Sequence, residues 1–289
     1  MRLLLIRHGE SIDNVAGLYA GSRNSPLTNH GVLQIKRLGA HLVKRHEILG
    51  PVKHVFTSTL QRAYQTAEAI VEAHGPSSRD ALDTQTALKV CRLPELAEKD
   101  YGSFEGKKYG IKIPGTASGL VQSDVETHDS MKARINRFLD FHLTPIIDKH
   151  MSDKVTVMVV AHGIILGVLL KSLLERFPPR LSLSTPQSSS RESPAEFAAW
   201  SNTGVLQARL ESNEAVSLIS TAVTDAVPAS SRERLPCLTI EFTNNLDHLQ
   251  GLKKTRGGIG SAKFDSRQRT MDSFFNPSKK RKLEDATGS

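Results

Sequence analysis

The sequence predicts an α/β fold: a three-layer α/β/α sandwich with a mainly parallel central sheet. Three observations carry the prediction. Leu3 to Ile6 is a short run of apolar residues without alternation, as in strands buried on both faces. Strand-like runs then alternate with helix-period segments along most of the chain. The most strand-like run, Val155 to Val160, leads almost directly into a helical pattern, as in βα units.

The elements follow in order. Thr28 is placed to cap a helix carrying Val32, Ile35, Leu38, Leu42 and Val43 on one face. Val52 to Phe56 reads as a second strand. Ser58 or Thr59 is expected to cap the next helix, with Leu60, Tyr64, Ala67, Ile70 and Val71 inward. A third amphipathic segment spans about Met131 to Leu143. After the strand at Val155–Val160, Gly163 to Leu174 reads as a helix. A stretch rich in Ser and Pro, residues 181–196, is expected to be a loop insertion. Val205–Leu210, Val216–Ile219 and Leu238–Phe242 are expected to complete the sheet. From about Gly251, apolar residues thin out and Gly, Ser, Lys and Arg dominate, the composition of a disordered tail. The expected organisation is therefore a domain over 1–250 and a tail over 251–289.

Charge sharpens that division. Lys253 to Ser289 holds ten Lys or Arg against four Asp or Glu, whereas the remaining residues hold 28 against 26. The domain is nearly neutral and the tail is basic, so a charge-driven partner belongs to the tail. Two cysteines, Cys91 and Cys237, are too few for a disulfide framework or a cysteine zinc site. Only four consecutive apolar residues precede Arg7 and His8, which argues against a signal peptide. The longest apolar stretch, Val157 to Leu170, is interrupted by His162, Gly163 and Gly167, so no membrane span is expected.

Four segments could carry chemistry. R-H-G-E-S at Arg7–Ser11 sits at the carboxyl end of the first strand, the sheet edge where α/β folds bind ligands. A neutral imidazole tied through one nitrogen to backbone is a competent nucleophile, and Arg7 beside it is a fork for an anion's oxygens. Taken singly, the same residues could be a solvated loop. Thr57 to Ala67 follows a strand and opens a helix, so Arg62 and the local amides could face an anion. Ala161–Gly163 is a second H-G turn at a strand end. Leu93 to Gly106 offers Glu95, Glu98, Asp100 and Glu105 as candidate acids, among which composition does not choose.

Together these segments resemble the histidine phosphatase superfamily, in its phosphoglycerate mutase-like branch. The motifs stand in the family's order: R-H-G-E-S-x-x-N, P-L-T-x-x-G at Pro26–Gly31, S-x-L-x-R-A-x-Q-T-A, E-x-x-x-G-x-x-E-G, and a late A-H-G. The resemblance runs from Arg2 to about Leu249. It implies a nucleophilic His8, and a phosphoryl clamp of Arg7, Arg62 and His162. Asn14 and Gly163 would add contacts to substrate, and Glu98, four residues before Gly102, would be the proton donor. Glu95 is the nearest rival. No metal or cofactor is implied. Two departures separate a phosphatase from a mutase. Ile164 and Ile165 stand where mutases have Asn-Ser, and Lys107–Thr127 contains no arginine to grip a second phosphate. The expected function is hydrolysis of a phosphomonoester on a small molecule or phosphoprotein. A mutase, or a non-catalytic adaptor, is the alternative.

The tail adds two signals. Q-R-T-M-D-S-F-F at 268–275 resembles the PIP box, the peptide that docks on the replication sliding clamp, proliferating cell nuclear antigen, with Gln268, Met271, Phe274 and Phe275 at its defining positions. Lys279, Lys280, Arg281 and Lys282 form a cluster of nuclear-import type. The expected partner is the sliding clamp, with weak nucleic-acid contact through the basic residues as an alternative. The expected location is the nucleus, with the cytoplasm second.

Overall fold

The computed structural model describes residues 1–75, 88–110, 124–179, 200–212 and 236–254. Expectations for the strand at Val216–Ile219, the loop at 181–196 and the tail motifs at 268–275 and 279–282 fall outside these residues.

A single six-stranded sheet organises the described chain: β1 (Arg2–Arg7), β2 (Val52–Ser58), β3 (Val90–Leu93), β4 (Thr156–Ala161), β5 (Val205–Ser212) and β6 (Pro236–Asn245). The spatial order is β3-β2-β4-β1-β5-β6. The first four are parallel, and β5 and β6 close one edge antiparallel. The helices are α1 (Ile12–Ala16), α2 (Asn29–Lys44), α3 (His46–Leu49), α4 (Gln61–His74), α5 (His128–Phe138), α6 (Thr144–His150) and α7 (Gly163–Arg176).

The sandwich follows from the alternation of β1. Leu3 and Leu5 face one core with Ile135, Phe138, Ile165 and Leu169, residues of α5 and α7. Leu4 and Ile6 face the other core, with Leu38 and Leu42 of α2 and Ala67 and Ile70 of α4. Every residue of β4 is buried, as befits a strand between parallel neighbours with helices on both faces.

Some local expectations are corrected. The cap of α4 is neither Ser58 nor Thr59 but Leu60, which has no side-chain cap bond. β2 runs on through Ser58, whose Oγ accepts the Leu60 N–H at 3.2 Å, while Asn24 Oδ1 accepts the Gln61 N–H at 2.7 Å. The cap is thus supplied from a distant loop. The buried face of α4 is also rotated, to Arg62, Ala63, Thr66, Ala67 and Ile70, leaving Leu60, Tyr64 and Val71 half-buried. On α2, Thr28 caps as expected, accepting from Gly31 N–H at 2.9 Å, but Val32 is exposed. Past Phe138 the third amphipathic segment loosens into a π turn at Leu139–Leu143.

Candidate active site

Strand register builds the centre. β1 and β4 pair in parallel with Arg7 opposite Ala161. The next residue on each strand is a histidine, so His8 and His162 leave the sheet side by side, their ring centroids 4.9 Å apart. Both are buried, at 2% and 0% exposure. Each is followed by glycine. Gly9 needs to be one, because a Cβ there would meet Ile35 Cγ2 at 2.7 Å. Gly163 does not need to be one for space: its added Cβ would make only ordinary contacts, with Arg7 Nε and Trp200 Cβ, each at 3.9 Å.

His8 is held in one tautomer. Its Nδ1–H donates to the Gly9 carbonyl at 2.7 Å, which leaves a lone pair on Nε2. That nitrogen accepts from Arg62 Nε–H at 3.2 Å. Arg62 is 1% exposed, and its remaining nitrogens donate to the carbonyls of Arg23 (2.7 Å), Ala20 (2.8 Å) and Gly21 (3.1 Å). Burial lowers its pKa to about 10, so it stays charged at neutral pH. Arg7 donates through Nη1 to the Trp200 carbonyl. Its buried Nε has no hydrogen-bond partner among the described residues, and neither has either ring nitrogen of His162. Burial, reinforced by the arginines, pushes the pKa values of His8 and His162 well below the ordinary histidine range. The centre therefore holds two neutral imidazoles, two guanidinium charges and unpaired buried nitrogens. Orphaned polar atoms of this kind are costly unless a ligand meets them, and the charge suits a dianion.

Glu98 joins the centre and Glu95 does not. The Glu98 carboxylate accepts from Ile164 and Ile165 N–H, each at 3.1 Å, at the N-terminus of α7 just past His162. Its charge is the largest electrostatic influence on both Arg7 and Arg62 after burial. The charge of Glu95 acts on Cys91 instead. Arg134 fixes the segment between them, donating to the carbonyls of Glu95 (2.5 Å), Ala97 (2.7 Å) and Glu98 (3.2 Å).

Asn14 is close to the centre but partly committed. Its Oδ1 accepts from Ser11 N–H at 3.2 Å and from Asn202 Nδ2 at 3.0 Å, leaving its amide N–H groups as donors. Glu105, one of four candidate acids by sequence, gathers backbone instead: Gly21, Ser22, Arg23 and Tyr101 N–H all point at its carboxylate.

Sequence reasoning missed Asn202, Trp200 and Arg134. The first two sit just before β5 in a region with no motif. An arginine at a core-facing position of an amphipathic helix, as Arg134 is on α5, was the available signal for the third. Among the described residues no group of three or more His, Cys, Asp or Glu is arranged to hold a metal ion.

This fold and centre define an enzyme built on a buried histidine pair between two arginines. The chain belongs to the histidine phosphatase superfamily (branch 1), whose family model matches residues 3–192. A Schizosaccharomyces pombe protein named "Probable phosphatase" is 29% identical over 277 residues, covering 94% of this chain and 78% of the relative. An adenosylcobalamin/alpha-ribazole phosphatase of Salmonella typhimurium is 31% identical over 60% of this chain and 80% of its own. A Proteus mirabilis protein named "Probable phosphoglycerate mutase" is 30% identical, over 60% of this chain and 75% of its own. In fold, the chain is similar to the solved structure "Mycobacterial hydrolase 1", with a TM-score of 0.56 at 20% identity, covering 84% of this chain and 98% of that one. The chain is accordingly an enzyme of the phosphatase class.

Proposed function

We propose that residues 1–250 form a metal-independent phosphomonoesterase domain that works through a phosphohistidine on His8. The observation that carries this reading is the lone pair of His8 Nε2, fixed by the Nδ1–H bond to Gly9 and lying against Arg62. In the first step Nε2 attacks phosphorus, the bond to the leaving oxygen breaks, and Glu98, having taken up a proton as the dianionic substrate binds, gives it to that oxygen. In the second, Glu98 takes a proton from water, whose oxygen attacks the phosphohistidine. Inorganic phosphate leaves and His8 is again neutral. Arg7, Arg62 and His162 contact the equatorial oxygens, where positioned charge is most of what phosphoryl transfer requires. The Asn14 amide and the Gly163 N–H at the start of α7 add hydrogen bonds to the same group.

Rapid-quench labelling with a phosphorus-labelled substrate tests this. Wild-type protein should form an acid-labile phosphoenzyme with chelator present, and His8→Ala should form none. Turnover by His8→Ala at the wild-type rate, or loss of activity on chelation, would refute it. One relative's name favours a second reading, transfer to another hydroxyl. Appearance of a phosphorylated acceptor in place of free phosphate would establish that reading.

We further propose that the tail tethers this enzyme to the sliding clamp in the nucleus. Met271, Phe274 and Phe275 are spaced so that one helical turn would gather them as an apolar plug, with Gln268 outside it. Titrating the clamp with peptide 263–285 should give binding of roughly micromolar strength, since a free tail must be ordered. The Phe274→Ala/Phe275→Ala peptide should lose it. Equal binding by both peptides would reduce the segment to a basic patch.

A further inference from the structure

The segment after β6 is tied down against α2, Glu10 and the loop before β5. It crosses α2, where Arg37 Nη1 donates to the Gln250 carbonyl at 2.8 Å, and reaches Glu10, whose carboxylate pairs with Lys254 at 2.5 Å. Two residues before the first of these anchors, His248 is buried at 7% exposure, and its Nε2 lies 2.8 Å from Thr203 Oγ1. The Thr203 hydroxyl gives its proton to the Asn202 carbonyl at 2.7 Å, so His248 is the donor in this bond. Burial lowers the pKa of His248 to about 4, with His41 lowering it further and Asp247 opposing, so it is neutral.

Through Thr203, His248 bonds the loop that leads into β5 and meets the end of β1. Thr203 adopts φ of 58°, costly for a β-branched residue, and its N–H faces the carbonyls of both Arg7 (3.1 Å) and His8 (3.2 Å). Asn202 Nδ2 donates to the His8 carbonyl at 3.1 Å and to Asn14 Oδ1 at 3.0 Å. The Trp200 carbonyl accepts from Arg7. One loop thus touches three residues of the centre, and a strained residue in it needs outside support. We infer that His248 is a positioning residue for the phosphoryl transfer, acting through Thr203 and Asn202 on the main chain of His8.

This inference rests on His8 being the nucleophile. It predicts an effect on kcat, because His248 touches no substrate while small displacements of a nucleophile are costly. His248→Leu removes the donor at similar volume, and His248→Gln returns one. With a small aryl phosphate, His248→Leu should lower kcat about tenfold or more, with KM within about twofold. His248→Gln should recover most of the loss. Combined with Asn202→Ala, His248→Leu should add little, because both act on one path. A lowered melting temperature with unchanged kcat, equal behaviour of the two variants, or multiplicative losses would overturn the inference. If His248→Leu does not fold, Thr203→Ala against Thr203→Ser performs the same comparison from the other end of the bond. The His8 ring resonances report independently of turnover. They should shift in His248→Leu, and an unmoved His8 signal overturns the inference. An inactive wild-type protein would instead count against the phosphatase reading.

Discussion

Arg62 Nε donates to His8 Nε2 at 3.2 Å, so the guanidinium occupies the lone pair that the proposed chemistry must use. An incoming phosphate has to take that hydrogen bond over, and the exchange costs little because the donor is already in place and charged. Preorganised charge of this kind is usually the largest contribution to phosphoryl-transfer rates.

Replacing Arg62 should therefore cost on the order of 10²–10³ in kcat. Arg62→Lys should rescue little. One ammonium cannot both reach His8 and satisfy the carbonyls of residues 20, 21 and 23, which now share the guanidinium fork. Steady-state kinetics on the two variants checks this, and a lysine variant near wild type would show that charge alone suffices.

Glu98 and Glu95 should separate by leaving group. Glu98→Gln removes the proposed acid, so alkyl phosphates should slow strongly and activated aryl phosphates much less, since only the former need protonation. Glu95→Gln should change neither class beyond about twofold, because the Glu95 charge acts on Cys91 rather than on the arginines of the centre. A linear free-energy plot against leaving-group pKa shows the difference: steeper for Glu98→Gln, unchanged for Glu95→Gln.

The parts of this design legible in the sequence are those set by short-range physics. β1 and β4 announce themselves because buried parallel strands admit only apolar residues, and the histidines follow as the residues next in line. β3 was missed because it is four residues at the sheet edge with Cys91 and Arg92 exposed, and so lacks an apolar run. The face of α4 was misplaced because its buried stripe includes Arg62 and Thr66, polar residues that hydrophobic periodicity assigns to solvent. Asn202, Thr203 and His248 matter only because folding brings them to β1 from some 200 residues away, and no local pattern encodes that approach.

The buried histidines set an acid limit on stability. His8, His162 and His248 all have folded pKa values below the unfolded value of about 6.5. Below that pH the unfolded chain binds more protons than the native one, so stability is full above about pH 6.5 and falls as pH drops toward the folded values. The melting temperature should decline more steeply below about pH 6.5 than above it, because the histidines add their loss only there. His248→Gln should remove part of the slope between about 6.5 and 4, where His248 itself contributes. Throughout the upper part of this range the His8 and His162 ring resonances should keep the shifts of neutral imidazole. Titration of either near pH 6.5 would contradict the burial that keeps both rings neutral.

The junction of the 20–23 and 98–105 loops should prove as sensitive as the proposed catalytic groups. Arg62 is aimed by the carbonyls of residues 20, 21 and 23, and Glu105 in turn holds this loop through the N–H groups of residues 21, 22 and 23. Gly21 sits so tightly here that an added Cβ would lie 1.7 Å from the Lys99 carbonyl oxygen, next to Glu98. Gly21→Ala must therefore push the two loops apart, moving Arg62 and Glu98 together. Glu105→Gln keeps the shape but replaces a carboxylate with one acceptor oxygen for four amides. It should destabilise by about 1–3 kcal/mol, the cost of leaving one of the partly buried Gly21 and Tyr101 N–H donors short of an acceptor. Both variants should lose kcat by more than about tenfold while the folded protein retains its secondary structure, because both loosen the loop that aims Arg62. Their combination with Arg62→Ala tests the path. If Glu105 acts through Arg62, Glu105→Gln should cost little further activity once Arg62 is gone, whereas a second full loss would mean that Glu105 serves the reaction by another route.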